Sequence, residues 1–199
     1  EMQTPDESNL RVIYGSIIRN TSQSLNLAAG SDEVIVDMTL DLYKSVVAKL
    51  LPTPSRFHYI FNLRDLSRIF EGMSRATPAV ISTTPEFLRL WRNEAIRVFH
   101  DRLISNEDRT FVLDRVASLI RERCDEEYKD EITVMSSNPT LFADFAPGDD
   151  HEDSMRSNAS HVVDASGAEV TDSLIVRKRV YEDVGTYAAI KPWFEQVIA

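Results

Sequence analysis

Residues 51 to 73 read LPTPSRFHYIFNLRDLSRIFEGM. Pro52 and Pro54 stop whatever helix precedes them, because proline lacks the N–H a helix interior needs and its ring clashes with the preceding turn. The aromatic run Phe57 to Phe61 predicts an extended link. Asn62 then supplies a side-chain oxygen where a helix start needs an acceptor, and Asp65 puts an acid at the third helical position. Leu63, Leu66, Ile69, Phe70 and Met73 recur at helical spacing and predict one buried stripe. A capped, amphipathic helix entered through an aromatic link is a piece of a helical bundle.

The flanking sequence repeats this grammar. Upstream, Thr4, Pro5 and Glu7 predict a cap, a proline start and a capping box for a first helix carrying Leu10, Ile13, Tyr14, Ile17 and Ile18. Gly30 to Glu33 opens a second, with Ile35, Met38, Leu42, Val46 and Leu50 as its stripe, widened by Tyr43 and Val47. Downstream, Thr84-Pro85-Glu86 predicts a fourth helix through Leu88, Trp91, Ala95, Val98 and Phe99 to Leu103. Asn106-Glu107-Asp108 caps a fifth, with Phe111, Val112, Val116, Leu119 and Ile120 facing inward. Helices joined by short links predict a compact, mainly α bundle. Glu122 to Glu131 reads as a solvated helix end. Leu174 to Val180 reads as a strand, and Tyr187 to Ile198 as a helix that Pro192 should start, kink or break.

Charge divides the chain. The 199 residues carry a net charge of −10, yet Asp144 to Asp172 holds eight acids against Arg156 alone. The rest is close to neutral, which argues against a nucleic-acid surface. Residues 146–172, acidic and poor in large apolar side chains, read as a disordered insert. No apolar run approaches the roughly 20 residues of a membrane span, so no membrane partner is expected. Cys124 is the sole cysteine, which precludes an intrachain disulfide and fits a reducing compartment. Glu1 begins abruptly and Ala199 stops inside an apolar helical pattern, so both ends read as cut.

Chemistry-bearing motifs are sparse. No G-x-x-x-x-G-K-[ST] loop occurs to cradle phosphates, and no apolar strand ends in paired acids that would hold magnesium. His151 and His161, with Glu152 and Asp153, are ligand types for a weak metal site, but a solvated acidic loop uses the same residues and no metal is expected. No Ser–His–Asp or Cys–His pattern has a local signature. Trp91, Phe99 and Phe70 at helical spacing read as core. Arg89, Arg92, Arg97, Asp101 and Arg102 read as a solvated face or as a salt-bridged seam with a neighbouring unit.

The quoted stretch nevertheless resembles the signature of the third AAA+ lid of dynein heavy chains, in its axonemal version. FLRLWRNEAIRVFHDRL, Phe87 to Leu103, resembles the family's next lid helix, where L-W-x-H-E precedes R-x-F-x-D-R-L; Asn93 stands where histidine is usual. Asn106 to Arg109 continues the match. NPTLFADF, Asn138 to Phe145, resembles the apolar block that follows, and Val180-Tyr181-Glu182-Asp183 the entry to the fourth module. Thr4 to Ile18 resembles the helix leaving the third module's large subdomain. The insert 146–172 has no counterpart in this pattern.

That resemblance implies a mainly α AAA+ lid over 1–145, the insert 146–172, and the start of the fourth module over 173–199, as a short α or α/β segment. Dynein heavy chains are ATP-driven, minus-end-directed microtubule motors built on a ring of six AAA+ modules, the first the main ATPase and the third a nucleotide-binding gate. ATP or ADP with Mg belongs to that parent protein, whose phosphate loop lies upstream; no catalytic residue and no bound cofactor are expected in these 199 residues. The implied partners are neighbouring AAA+ modules of the same chain and, through the parent, microtubules and other dynein chains, in the cytoplasm and cytoskeleton of a ciliary or flagellar axoneme. AAA+ lids often aim an arginine from the start of a lid helix at the γ-phosphate, and the matching residue is Arg64. A guanidinium suits the task because its fork pairs two phosphate oxygens. The alternative is an exposed first-turn arginine that pairs locally with Asp65 or with the neighbours of Arg68. Two other readings stay open: a non-enzymatic helical interaction module, or the lid of a different AAA+ protein.

Overall fold

The computed structural model describes residues 6–124, 141–143, 181–185 and 187–198. Five helices build the bundle: α1 Glu7–Ser24, α2 Ser31–Lys49, α3 Leu63–Met73, α4 Thr84–Ala95 and α5 Asn106–Arg123. Strands β1 Phe142–Ala143 and β2 Glu182–Asp183 form an antiparallel ribbon, and α6 Tyr187–Ile198 follows. The described residues are thus mainly α with one small sheet, as the periodicity predicts. No helix among the described residues is long and apolar enough to cross a membrane. The insert 146–172, the strand read over Leu174 to Val180, and His151 and His161 lie outside the described residues.

Helix α2 is the axis of the bundle, packed by α1, α3, α4 and α5. Its burial reaches beyond the predicted stripe to Val36, Thr39 and Leu40, whereas Val47 lies at the surface. The buried Thr39 hydroxyl donates to the Ile35 carbonyl at 2.7 Å and accepts from the Trp91 indole N–H at 2.8 Å. That pairing lets an indole with no solvent exposure sit at the centre of the core without an orphaned donor. Gly30 precedes α2 at φ +86, a left-handed conformation that glycine adopts without a Cβ clash.

Four local expectations need correction. Helix α1 is capped by Asp6, whose carboxylate accepts from the Glu7 N–H at 2.8 Å; Glu7 instead reaches Arg11 and Lys44. Its outer side chains Ile13 and Ile17 are exposed, because only the Tyr14–Ile18 side meets the bundle. In α4 the cap is Thr83, one residue earlier than predicted, with Glu86 closing the box onto the Thr83 N–H at 3.0 Å. Helix α5 follows Ser105, which makes no side-chain cap bond, and Asp108 in its first turn accepts from Arg56 at 2.7 Å and from the Tyr59 hydroxyl at 3.1 Å. The aromatic link is not extended throughout: after the 3₁₀ turn Pro54–Arg56, Phe57 and His58 form a turn, with Phe57 in solvent and Tyr59 in the core.

Helix α4 does not run unbroken to Leu103. Residues Ile96–His100 form a π turn, closed by the Asp101 N–H on the Ile96 carbonyl at 3.1 Å. The extra residue per turn rotates everything after it about the axis. Val98, Phe99 and Leu103 stay buried, and Arg102 swings toward α3. Pro192 lies inside α6 and neither begins nor ends it.

Candidate functional site

Arg64 occupies the second position of α3, where its backbone N–H donates to the capping oxygen of Asn62 at 2.9 Å. The capping box is complete, since the Asn62 N–H donates to Asp65 Oδ2 at 2.9 Å. Asp65 is buried and already committed: Arg102 approaches its other oxygen at 2.7 Å and Arg68 stands at 3.6 Å. Local pairing of Arg64 with Asp65, the structural alternative, is therefore not what the structure shows. The Arg64 side chain is exposed and meets no ion-pair partner among the described residues.

The turn that carries Arg64 is fixed from several directions. The Tyr14 hydroxyl donates to the Leu63 carbonyl at 3.1 Å, and the Tyr14 ring stacks on Phe70 with centroids 4.5 Å apart. Arg102 donates to the Val98 carbonyl at 3.0 Å and to the Ile60 carbonyl at 3.4 Å, and lies 4.6 Å over the Phe61 ring. A free guanidinium on a rigid turn can meet an anion without losing an internal pair. One arginine cannot by itself hold a nucleotide.

Sequence reasoning passed over a second centre. Glu94 on α4 is fully buried. One carboxylate oxygen accepts from the Tyr181 hydroxyl at 2.5 Å and from Asn93 Nδ2 at 3.2 Å; the other accepts from Arg97 Nε at 3.0 Å. Burial and the bond to this carboxylate both push the Tyr181 phenol well above its ordinary range. A legible signal existed. Position 94 falls on the stripe of Phe87, Trp91, Ala95 and Val98, so a carboxylate there must be buried and must find partners. Gly72 is its counterpart on α3: a Cβ there would stand 2.0 Å from Glu94 Oε2.

Three arginines of this stretch make pairs within the chain rather than only facing solvent. Arg89 pairs with Asp183 of β2 at 2.8 Å, Arg97 with Glu94, and Arg102 with Asp65. No cluster of metal-ligating side chains occurs among the described residues.

The sequence profile of the AAA+ lid domain matches residues 35–135. The chain belongs to the AAA+ lid family. Its similarity to dynein heavy chains extends further than that profile. It is 39% identical over 201 aligned positions to the dynein-1-alpha heavy chain of the flagellar inner arm I1 complex of Chlamydomonas reinhardtii, covering 100% of this chain and 4% of that protein. Against human dynein axonemal heavy chain 10 it is 37% identical over 98% of this chain and 4% of that relative. Human dynein axonemal heavy chain 1 is 42% identical over 59% of this chain. The chain thus spans about one twenty-fifth of the relatives it matches along its full length, and it is the AAA+ lid region of a dynein heavy chain of axonemal type. Helix α1 and the ribbon fall outside the 35–135 match.

Proposed function

We propose that this lid belongs to the third AAA+ module of an axonemal dynein heavy chain and runs into the fourth, and that Arg64 reports the nucleotide state of the third module. The observation that carries the reading is the exposed guanidinium of Arg64, without an ion-pair partner among the described residues, on a turn whose cap is closed by Asn62 and Asp65. ATP or ADP with Mg would supply the terminal phosphate that Arg64 pairs with; its remaining contacts come from the large subdomain. Asn62, Asp65 and Arg102 hold the turn, so pairing at Arg64 is transmitted to the whole bundle as a rigid body. The parent chain is then a minus-end-directed microtubule motor of a cilium or flagellum, with the neighbouring AAA+ modules as this lid's immediate partners.

The test uses the parent motor and the 199-residue chain together. A charged hydrogen bond of this kind is worth about 1.5–3 kcal/mol, or about ten- to a hundredfold in the lid equilibrium. Arg64→Ala should slow microtubule gliding while ATP binding at the first module persists. In the chain alone it should leave thermal unfolding within about 0.5 kcal/mol of the parent, as expected for an exposed residue without partners. Normal gliding combined with a destabilised chain would make Arg64 a structural residue and end the proposal.

A further inference from the structure

The ribbon of β1 and β2 is too short to hold itself. Each strand has two residues, paired Phe142 with Asp183 and Ala143 with Glu182, and isolated two-stranded ribbons are marginal even when longer. Something else must hold residues 181–185, and with them the lead into α6, against the bundle. The half-exposed Arg89–Asp183 pair contributes little, since solvent screens it. Beside it among the described residues stand the buried Phe142 ring, 5.7 Å by centroid from Tyr181, Arg75 over the Tyr181 ring at 5.9 Å, and the Tyr181 hydroxyl on Glu94.

Glu94 is an expensive residue for its place. A carboxylate with no solvent exposure on an apolar stripe costs several kcal/mol to desolvate, and an apolar residue of similar volume there is often at least as stable. Arg97 offsets its charge, but that ion pair lies within one turn of one helix and joins nothing distant. Among the described residues, the bond of Glu94 that spans the chain is to Tyr181, 87 residues away. Helix α3 makes room for the carboxylate by having no side chain at Gly72.

We propose that Glu94 is a positioning residue that locks residues 141–143 and 181–185 onto α4, so that the segment leading into α6 moves with the lid as one body. The lock has three parts on three elements: the carboxylate on α4, the hydroxyl beside β2, and the gap on α3. This role is independent of what Arg64 does.

Hydrogen exchange of the 199-residue chain tests it. The reporter is the Val184 amide, which donates to the Leu141 carbonyl at 2.8 Å and is protected only while the ribbon is seated. Tyr181→Phe removes one hydroxyl and keeps the ring. Losing a hydrogen bond to a charged group should raise Val184 exchange about tenfold or more while amides in α2 and α5 keep their protection. Gly72→Ala gives the sharper contrast, because alanine in a helix interior is ordinarily more favourable than glycine. Here its Cβ should evict the Glu94 carboxylate and reproduce the local opening. Unchanged Val184 exchange in Tyr181→Phe, or a rise shared by α2 and α5, overturns the lock. Intact protection in Gly72→Ala removes Glu94 from it.

Discussion

Trp91 shows how a single polar atom constrains the core. Its indole is fully buried and its N–H has one acceptor, the Thr39 hydroxyl at 2.8 Å. Thr39→Val keeps the volume and removes that acceptor. An orphaned buried donor costs about 1–3 kcal/mol, so the urea midpoint should fall with an unchanged slope. Thr39→Ser, which keeps the hydroxyl, should lose less. A Thr39→Val chain as stable as its parent would mean that the indole finds another acceptor. Arg64 is the opposite case, a charged group whose loss the bundle should not register.

The helices are pinned where the chain enters and leaves the bundle. Glu7, Arg11, Asp37, Arg123, Asp41 and Lys44 close a ring of alternating charges across α1, α2 and α5. Each pair is partly exposed, so any one is weak, but Asp37 serves both Arg11 and Arg123. Asp37→Asn should lower the melting temperature in low salt by about 2–4 °C, equivalent to about 1 kcal/mol. Near 1 M salt, where the Debye length falls to about 3 Å, most of that difference should vanish. A difference that persisted in high salt would point to packing rather than charge. The π turn acts at the same level: without its added residue, Arg102 would not face Asp65.

Taken as one body, the bundle supplies a platform for the sensor proposed at Arg64, and the sequence carries no P-loop to cradle phosphates. Calorimetry of the 199-residue chain with Mg-ATP should therefore show no micromolar binding, because Arg64 alone offers at most one charged contact to a ligand that P-loop proteins hold with a whole backbone loop. Micromolar affinity would require a nucleotide site within this chain and would overturn the division of labour proposed for lid and large subdomain.

The helices and most of their inward faces are legible in the linear order of residues, because helix starts, stripes and stops obey rules spanning at most four positions. Asn62 and Asp65 are recognisable as a cap on that ground, and Gly30 as an opening. The one-residue error at Thr83 is avoidable on the same local rules: Thr84 stands directly before Pro85, but only Thr83 has the capping-box spacing to Glu86. Arg64 was marked by family pattern, and its lack of a partner became visible only once Arg102 had been seen to claim Asp65, 37 positions earlier. Glu94 carried a local warning, a carboxylate on an apolar stripe, but its partner lies 87 residues on and its room comes from Gly72 on another helix. No spacing rule connects such residues. They meet because the bundle packing and the returning ribbon bring three distant segments to one buried point, and that convergence exists only in the folded chain.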